Sequence, residues 1–504
     1  MMKAKSLRAW ISFFLIALVL PLQAELRLPA LFSDNMVLQR NVSVPIWGWA
    51  DDGEVITVQF RGQKVTTTAQ NGAWSLRLRR LSAGGPDMLT IASPARTLQF
   101  TNVLVGEVWI ASGQSNMEWP LTQTDNSAAA IASATNSQIR FFMVPNVKAE
   151  APTTRINSSW KVCSPEMIGG HSAVGYYFAR DLVAARKVPV GIIQSDWGGS
   201  PAEVWMNRES LEINPRYQAE ILDSHAEAWK NYQTAVIEFE KEKAVAASKG
   251  EEFKKQAPRF GWRPTELYNG MIAPLIPYAF KGAIWYQGES NAGRAEQYRT
   301  LFPDMIRNWR RDWGQSDFPF LAVQLAPFMA VKDEPQDSAW AELREAQWLA
   351  TKVLPNVGMA VITDVGDPKD IHPRNKQPVG ARLALAARGI AYAEKITYSG
   401  PLYRSMKIQD ASVVLSFDHV GKGLEARDGE LKGFAICGED RKFVWAKAQI
   451  VGDTVVVINP EVSRPVAVRY GWADCPVVNL WNKDGLPASP FRTDDFPMIT
   501  AAKK

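Results

Sequence analysis

Leu104-Val105-Gly106-Glu107-Val108-Trp109-Ile110, continued by Ala111-Ser112-Gly113-Gln114-Ser115-Asn116-Met117-Glu118-Trp119, is the stretch whose reading decides the fold. Its first half is a largely apolar, strand-like run, and its second half turns small and polar. Open α/β sheets bind and react at the carboxyl ends of their strands, so a serine placed there is a candidate nucleophile. A hydroxyl is a poor nucleophile at neutral pH and needs a base, usually an imidazole of pKa about 6.5. The chain has only four histidines in 504 residues, and one of them, His372, sits in the acidic loop Asp370-Ile371-His372-Pro373.

Working outward from Ser115, strands alternate with helices between about 103 and 398. Val188 to Gln194, Ala283 to Tyr286, Phe320 to Gln324 and Met359 to Ile362 read as further apolar strands. Ala173 to Ala185 has helical spacing, and a second helix is expected from Val379 onwards. Helices between apolar strands imply a parallel sheet covered on both faces. Ser115, Gly198-Gly199, Gln287 and His372 each follow one of the strand candidates, at the end where sites form. Residues 207–256, rich in Glu, Lys and Ala, read as an inserted helical hairpin with a solvated charged face.

The flanks have a different texture. Val55-Ile56-Thr57-Val58-Gln59-Phe60 and Trp74-Ser75-Leu76-Arg77-Leu78 alternate with period two between turn signals, which predicts a small β-sandwich over 25–102. The β pattern returns after 399 in Val413 to Phe417, Thr454 to Ile458 and Val466 to Tyr470, a second β domain reaching residue 504. Residues 1–24 have the pattern of a signal peptide: Lys3, Lys5 and Arg8, the apolar run Trp10 to Leu20, then Leu22-Gln23-Ala24. That run is shorter than the roughly 18–20 residues of a membrane span. A mature protein that is periplasmic or secreted, off the membrane, is expected.

Composition narrows the classes. The hydrophobic and charged fractions, 46% and 22%, are those of a soluble globular protein. The net charge of +5 is spread without basic runs, so a nucleic-acid partner has no support. Nineteen tryptophans suit a sugar-binding cleft as well as core packing. Of Cys163, Cys437 and Cys475, the last two are the only pair that reads as a disulfide, and buried thiols are the simpler expectation. There is no CxxC and no close-spaced histidine pair, so neither a metal nor a cofactor is expected.

Acyl transfer needs a nucleophile, a base, an orienter for the base, and donors for the developing oxyanion. Ser115 and His372 fill the first two roles. His171 is the second choice of base, with His225 in the charged insert and His419 in the C-terminal β region. Asp370, Asp367 and Asp364 all stand within the reach of His372 along the same loop. Asp196-Trp197-Gly198-Gly199-Ser200 offers backbone N–H donors in a glycine turn. Trp285-Tyr286-Gln287-Gly288-Glu289-Ser290-Asn291 offers the amides of Gln287 and Asn291.

These stretches resemble the sialate O-acetylesterase family of the SGNH hydrolases, related to acetylxylan esterases. The resemblance is carried by GEVWIASGQSNMEWPL (106–121), IIQSDWGGSPAEVWM (192–206), LYNGMIAPLIPYAFKGAIWYQGESNA (267–292) and DVGDPKDIHPRNKQPVGARLALAAR (364–388). LFSDNMVLQR…VPIWGWA (31–50) and GLPASPFRTD (485–494) extend it to both ends. It implies an SGNH-type, flavodoxin-like three-layer α/β/α core with a parallel sheet, flanked by β domains. It implies Ser115 as nucleophile and His372 as base. Ser115 and Gly199 (or Gly198) are the implied oxyanion donors, with Gln287, Glu289 and Asn291 in the third block. Two positions depart from the superfamily pattern. Gly-Asp-Ser is Gly-Gln-Ser here, and the aspartate expected three residues before the histidine is Lys369. Asp370, Asp367 or no acid at all then orients the imidazole.

The implied activity is removal of O-acetyl groups from carbohydrates, above all sialic acids, through an acetyl-serine and without a cofactor. A sialic acid carboxylate calls for an arginine, and Arg344 and Arg374 are the candidates, with Glu289 a further substrate contact. Acetylated xylan or xyloglucan is the rival substrate, and a non-catalytic carbohydrate-binding protein is the rival class. An α/β-hydrolase is disfavoured because Gly113-Gln114-Ser115-Asn116-Met117 lacks the second glycine of the nucleophile elbow.

Overall fold

The structure, a computed structural model, describes residues 26–501. The expected signal peptide, 1–24, lies outside the described residues. The decisive stretch is the end of a 17-residue strand, Thr97–Gly113. Its first part is half-exposed and pairs antiparallel with Gly84–Ala92. Its last eleven residues are buried and pair in parallel with Val190–Asp196 on one side and Gly282–Tyr286 on the other. The expected break at 102/103 therefore falls inside one continuous strand shared by the N-terminal β region and the core. No turn residue interrupts it. Asn102 instead takes a left-handed φ of 54°, which asparagine tolerates, at the junction.

Across the central sheet the strands run in the order Val357–Ala360, Phe320–Val323, Gly282–Tyr286, Thr97–Gly113, Val190–Asp196, Asn136–Met143, Trp160–Cys163. All neighbours along this path are parallel except the last pair, so the sheet is mixed. Side chains alternate between two covered faces. Ile110, Ala283, Trp285 and Phe320 pack with the helices Ala295–Trp313 and Ala339–Val353. Trp109, Ala111, Ile284 and Leu321 pack with Ala173–Arg186 and Gln377–Ala386. The chain places its later strands on opposite sides of Thr97–Gly113, so that strand is the topological switch point. Its carboxyl end, where Ser115 begins a four-residue helix, opens on the crevice between neighbouring connections.

Antiparallel sheets flank this core on both sides, among them the strands Leu402–Gln409, Ser412–Asp418, Thr454–Ile458 and Lys447–Val451. The C-terminal region is braced against the helix Ala339–Val353. Arg492 pairs with Glu345 at 2.8 Å, and Arg469 with Asp494 at 2.9 Å, all four side chains being nearly buried. The segment 485–494 that the sequence singles out is this brace.

One expectation is corrected, and for the cysteines the simpler one holds. The insert is not a helical hairpin: one 26-residue helix, Ser224–Lys249, carries the chain out, and 251–263 returns without regular structure. Glycine 250 caps the helix in the left-handed region, and Pro258 and Gly261 interrupt the return. Cys437 and Cys475 are not bonded; all three cysteines are free and buried. Among the described residues no helix is long and apolar enough to cross a membrane. Nor, among them, does a group of three or more His, Cys, Asp or Glu stand ready to hold a metal ion.

The strand end requires glycine. Gly113 has φ 139°, and a Cβ there would lie 2.2 Å from the Tyr286 carbonyl oxygen. Gly113→Ala is expected to destabilise the protein by about 3 kcal/mol or more, read by urea unfolding. A loss below about 0.5 kcal/mol, the scale of a neutral surface change, would contradict this account of the strand end.

Candidate active site

Ser115 and His372 meet at the carboxyl edge of the sheet, with His372 Nε2 2.8 Å from Ser115 Oγ. The two residues are 257 positions apart, so their contact depends on what holds the 364–376 loop over the strand end. That clamp is Asn116. Its Nδ2 donates to the Ile371 carbonyl at 3.0 Å and to Glu289 Oε1 at 2.7 Å, while its Oδ1 accepts from Lys376 Nζ. Three loops are joined through one buried amide.

Lys376 of this network is near enough to act on the imidazole. Burial pushes the Lys376 ammonium down to about 7, with Glu289 and Asp370 opposing the shift. Burial likewise raises the Glu289 carboxyl, whose Oε2 is buried without a hydrogen-bond partner among the described residues. The His372 pKa is lowered first by burial and then by the nearby Lys376, with Asp370 acting in the opposite direction. A base whose cationic form is disfavoured stays neutral, and ready to accept a proton, further into the acid range.

Of the three acids near His372 in sequence, only Asp370 approaches the ring. Its Oδ1 lies 3.6 Å from Nδ1, beyond hydrogen-bond length, and accepts from the His372 backbone N–H at 2.9 Å. Asp364 is engaged by Arg382 through two contacts of 2.6 and 2.7 Å, and Asp367 accepts from the Lys369 N–H. Lys369, at the superfamily acid position, is exposed. The ring is also held by Trp119, stacked on it at 4.7 Å and 14°, with its own Nε1–H donating to Gln123 O at 3.1 Å. The other histidines are elsewhere: His171 contacts Met167 O and Phe141, His225 packs on Phe260, and His419 on Tyr398.

The glycine turn lies against the serine. A Cβ on Gly198 would come within 3.3 Å of Ser115 Cβ, so a side chain there would crowd the nucleophile. The Gly198 N–H donates to Glu118 Oε2 at 2.6 Å and is not available to an oxyanion. The N–H groups of Gly199 and Ser115 make no hydrogen bond among the described residues. They are the donors that remain.

Four of the expected site residues are engaged by the scaffold instead. Gln287 is fully buried, donating to Ser200 O and Asn291 Oδ1 and accepting from Tyr298. Asn291 donates to Glu203 and accepts from the Ala202 N–H, so neither amide faces an oxyanion. These two position the glycine turn from below. Arg344 is fully buried and donates to four backbone carbonyls, those of Leu325, Ala326, Ala473 and Asp474. It fastens the C-terminal region and cannot meet a substrate. Glu289 holds Asn116 rather than a sugar. Arg374, two residues past His372, is exposed beside the site.

Trp119, Asn116 and Lys376 were not singled out by the sequence reading. The first two stand beside Ser115 in the same run of polar and aromatic residues at the strand end, which is a usable signal. Lys376 follows Pro373-Arg374-Asn375 and looks like one more loop charge; nothing in its neighbours announces a buried amine.

With this geometry in view, comparison with known proteins is direct. The family described as carbohydrate esterase, sialic acid-specific acetylesterase, matches residues 105–388, which hold both Ser115 and His372. Mouse sialate O-acetylesterase is 31% identical over 92% of this chain and 93% of its own length, and the human protein of that name 29% identical over 92% of each. A crystal structure of a carbohydrate acetylesterase from Xanthomonas citri superposes with a TM-score of 0.81 at 42% identity, covering 94% of this chain and all of that one. The chain belongs to the sialic acid-specific acetylesterase family of carbohydrate esterases and is a carboxylic ester hydrolase.

Proposed function

We propose that this protein removes O-acetyl groups from carbohydrates by an acetyl-serine mechanism, with O-acetylated sialic acids as substrate. The observation that carries the mechanism is the 2.8 Å approach of His372 Nε2 to Ser115 Oγ. The serine oxygen attacks the acetyl carbonyl as the imidazole takes its proton. The Ser115 and Gly199 N–H groups receive the negative charge that develops on the carbonyl oxygen. The imidazolium returns its proton to the departing sugar oxygen, and water then attacks the acetyl-serine with the same base. Trp119 stacking and the nearby Asp370 carboxylate favour the imidazolium while it exists. The core is read as an SGNH-type, flavodoxin-like α/β/α arrangement, and the pattern of residues 1–24 supports export to the periplasm or beyond.

The names of the mammalian relatives support a sialic acid substrate, and Arg374 is the residue at hand for its carboxylate. The loss of Arg344 from the site favours a second reading, in which the acetylated sugar is a neutral plant glycan such as xylan or xyloglucan. Acetate release from O-acetylated sialic acid and from acetylated xylo-oligosaccharides, measured side by side, separates them. A kcat/KM for the neutral glycan well above that for the sialic acid would transfer the assignment.

Ser115→Ala and His372→Ala are each expected to lower kcat by roughly 10⁴-fold or more with the fold intact, and the double variant to be no worse than either alone. Near-normal turnover in either variant would end the proposal.

The pH profile of kcat/KM reads the base in the free enzyme. Because neutral imidazole is the active form, activity falls as pH drops through the His372 pKa. That pKa is lowered in part by Lys376 and supported by Asp370. Lys376→Met is expected to move the acid limb to higher pH, and Asp370→Asn to lower pH. Shifts of the same sign in both variants would contradict the assignment of His372 as base.

A further inference from the structure

A cavity of about 660 Å³ lies between the helix Ser224–Lys249 and the returning segment 260–266. Its walls include Trp229, Tyr232, Phe260, Arg263 and Lys148. The three aromatic rings form a mutual cluster, with centroid separations of 4.8 to 5.3 Å, yet each is only half-buried. A cluster that served only to pack the helix would hide its rings. All three line the cavity, with the Arg263 guanidinium over the Trp229 ring at 4.6 Å.

The cavity wall is joined to the glycine turn through packed side chains. Trp262, the residue after Phe260-Gly261, brings its Nε1 near the Cβ position of Gly199, at 3.9 Å, and meets Trp197 edge-on at 5.2 Å. Lys148 lies over the Trp262 ring at 4.1 Å and also lines the cavity. Contacts run from Ser115 to Gly198, and from Gly199 through Trp262 to Lys148, which lines the cavity.

The charges indicate what the cavity takes. Lys148 pairs with Glu266 at 2.9 Å, Arg263 with Glu150 at 2.6 Å, and Arg208 with Glu212 at 2.6 Å. Each cation already has its carboxylate, so the cavity does not call for an anion. It offers flat apolar faces ringed by paired guanidinium and carboxylate groups, which exchange hydrogen bonds with neutral hydroxyls. A pyranose matches this: its axial C–H groups form an apolar face, and its hydroxyls project around the rim.

We propose that this cavity is a subsite for a neutral sugar unit attached to the acetylated one. The insert then selects glycosidically linked substrates over free acetylated monosaccharides. This rests on the reading of Ser115 and His372 as the deacetylating centre of a carbohydrate esterase, and it goes beyond that reading by giving the insert a ligand.

The test has two arms. In the first, kcat/KM is measured for the acetylated sugar the enzyme hydrolyses, free and joined to a neutral disaccharide. The wild type is expected to prefer the joined form by about tenfold, a preference that Trp229→Leu abolishes and Trp229→Phe retains. An equal preference in wild type and Trp229→Leu would overturn the subsite. In the second arm the deacetylated neutral-linked oligosaccharide is titrated into wild type and Trp229→Leu by calorimetry. Binding to the wild type that is lost in Trp229→Leu and kept in Trp229→Phe supports the subsite, even if acetate release fails. No binding to the wild type overturns it. Failure of the wild type to release acetate from either sugar strikes the reading of the catalytic centre instead.

Discussion

The side-chain amide of Asn116 is the joint on which the site depends. Ser115 and His372 arrive on loops from opposite ends of the core, and no backbone ladder connects them. Asn116 supplies the connection, taking the Ile371 carbonyl and Glu289 on one side and Lys376 on the other. The arrangement puts an ammonium and a carboxylate at the two ends of one polarised amide, in a buried setting where each would be costly alone. Each of the two ends opposes the burial penalty on the other. Lys376 also lowers the His372 pKa, which links the network to the readiness of the base to accept a proton.

The fold serves this joint by keeping its supports rigid. Thr97–Gly113 is the central strand of the sheet and continues into the N-terminal β region without a break, so the serine stands at the end of a strand anchored at both halves. On the far side, Arg344, Arg492 and Asp494 tie the C-terminal sheets to the helix Ala339–Val353. The Gln347 side chain of that helix donates to the Gln287 carbonyl, just behind the glycine turn. The flanking β regions therefore reach the site through its scaffold.

Much of this is legible in the sequence because some of its signals depend only on local order. Apolar runs predict five of the seven central strands to within a few residues, Val188 to Gln194 being expected and Val190–Asp196 observed, and leave out Asn136–Met143 and Trp160–Cys163. Scarcity singles out His372. What escapes the sequence is burial, which is a property of the assembled whole. Gln287 and Asn291 look like oxyanion donors because an amide reads the same whether it faces a cleft or a core. Arg344 looks like a carboxylate receptor for the same reason, and Lys376 like a solvated charge. The continuity of one strand across 102/103 is not legible because a change of pairing partner within a strand needs no turn residue. The helical hairpin fails differently: charged, alanine-rich sequence extends one helix to Lys249, and the return contains residues that do not sustain a second.

Reactivity of Ser115 toward a fluorophosphonate tests the account most directly, because the reagent reports an activated hydroxyl whatever sugar the enzyme prefers. Peptide mapping by mass spectrometry of the labelled wild type, His372→Ala and Asn116→Ala would locate the adduct and rank its rate of formation. The account expects a single adduct on Ser115, nearly absent without His372 and markedly slowed without Asn116. An adduct on another residue, or one on Ser115 forming as fast without His372, would contradict it.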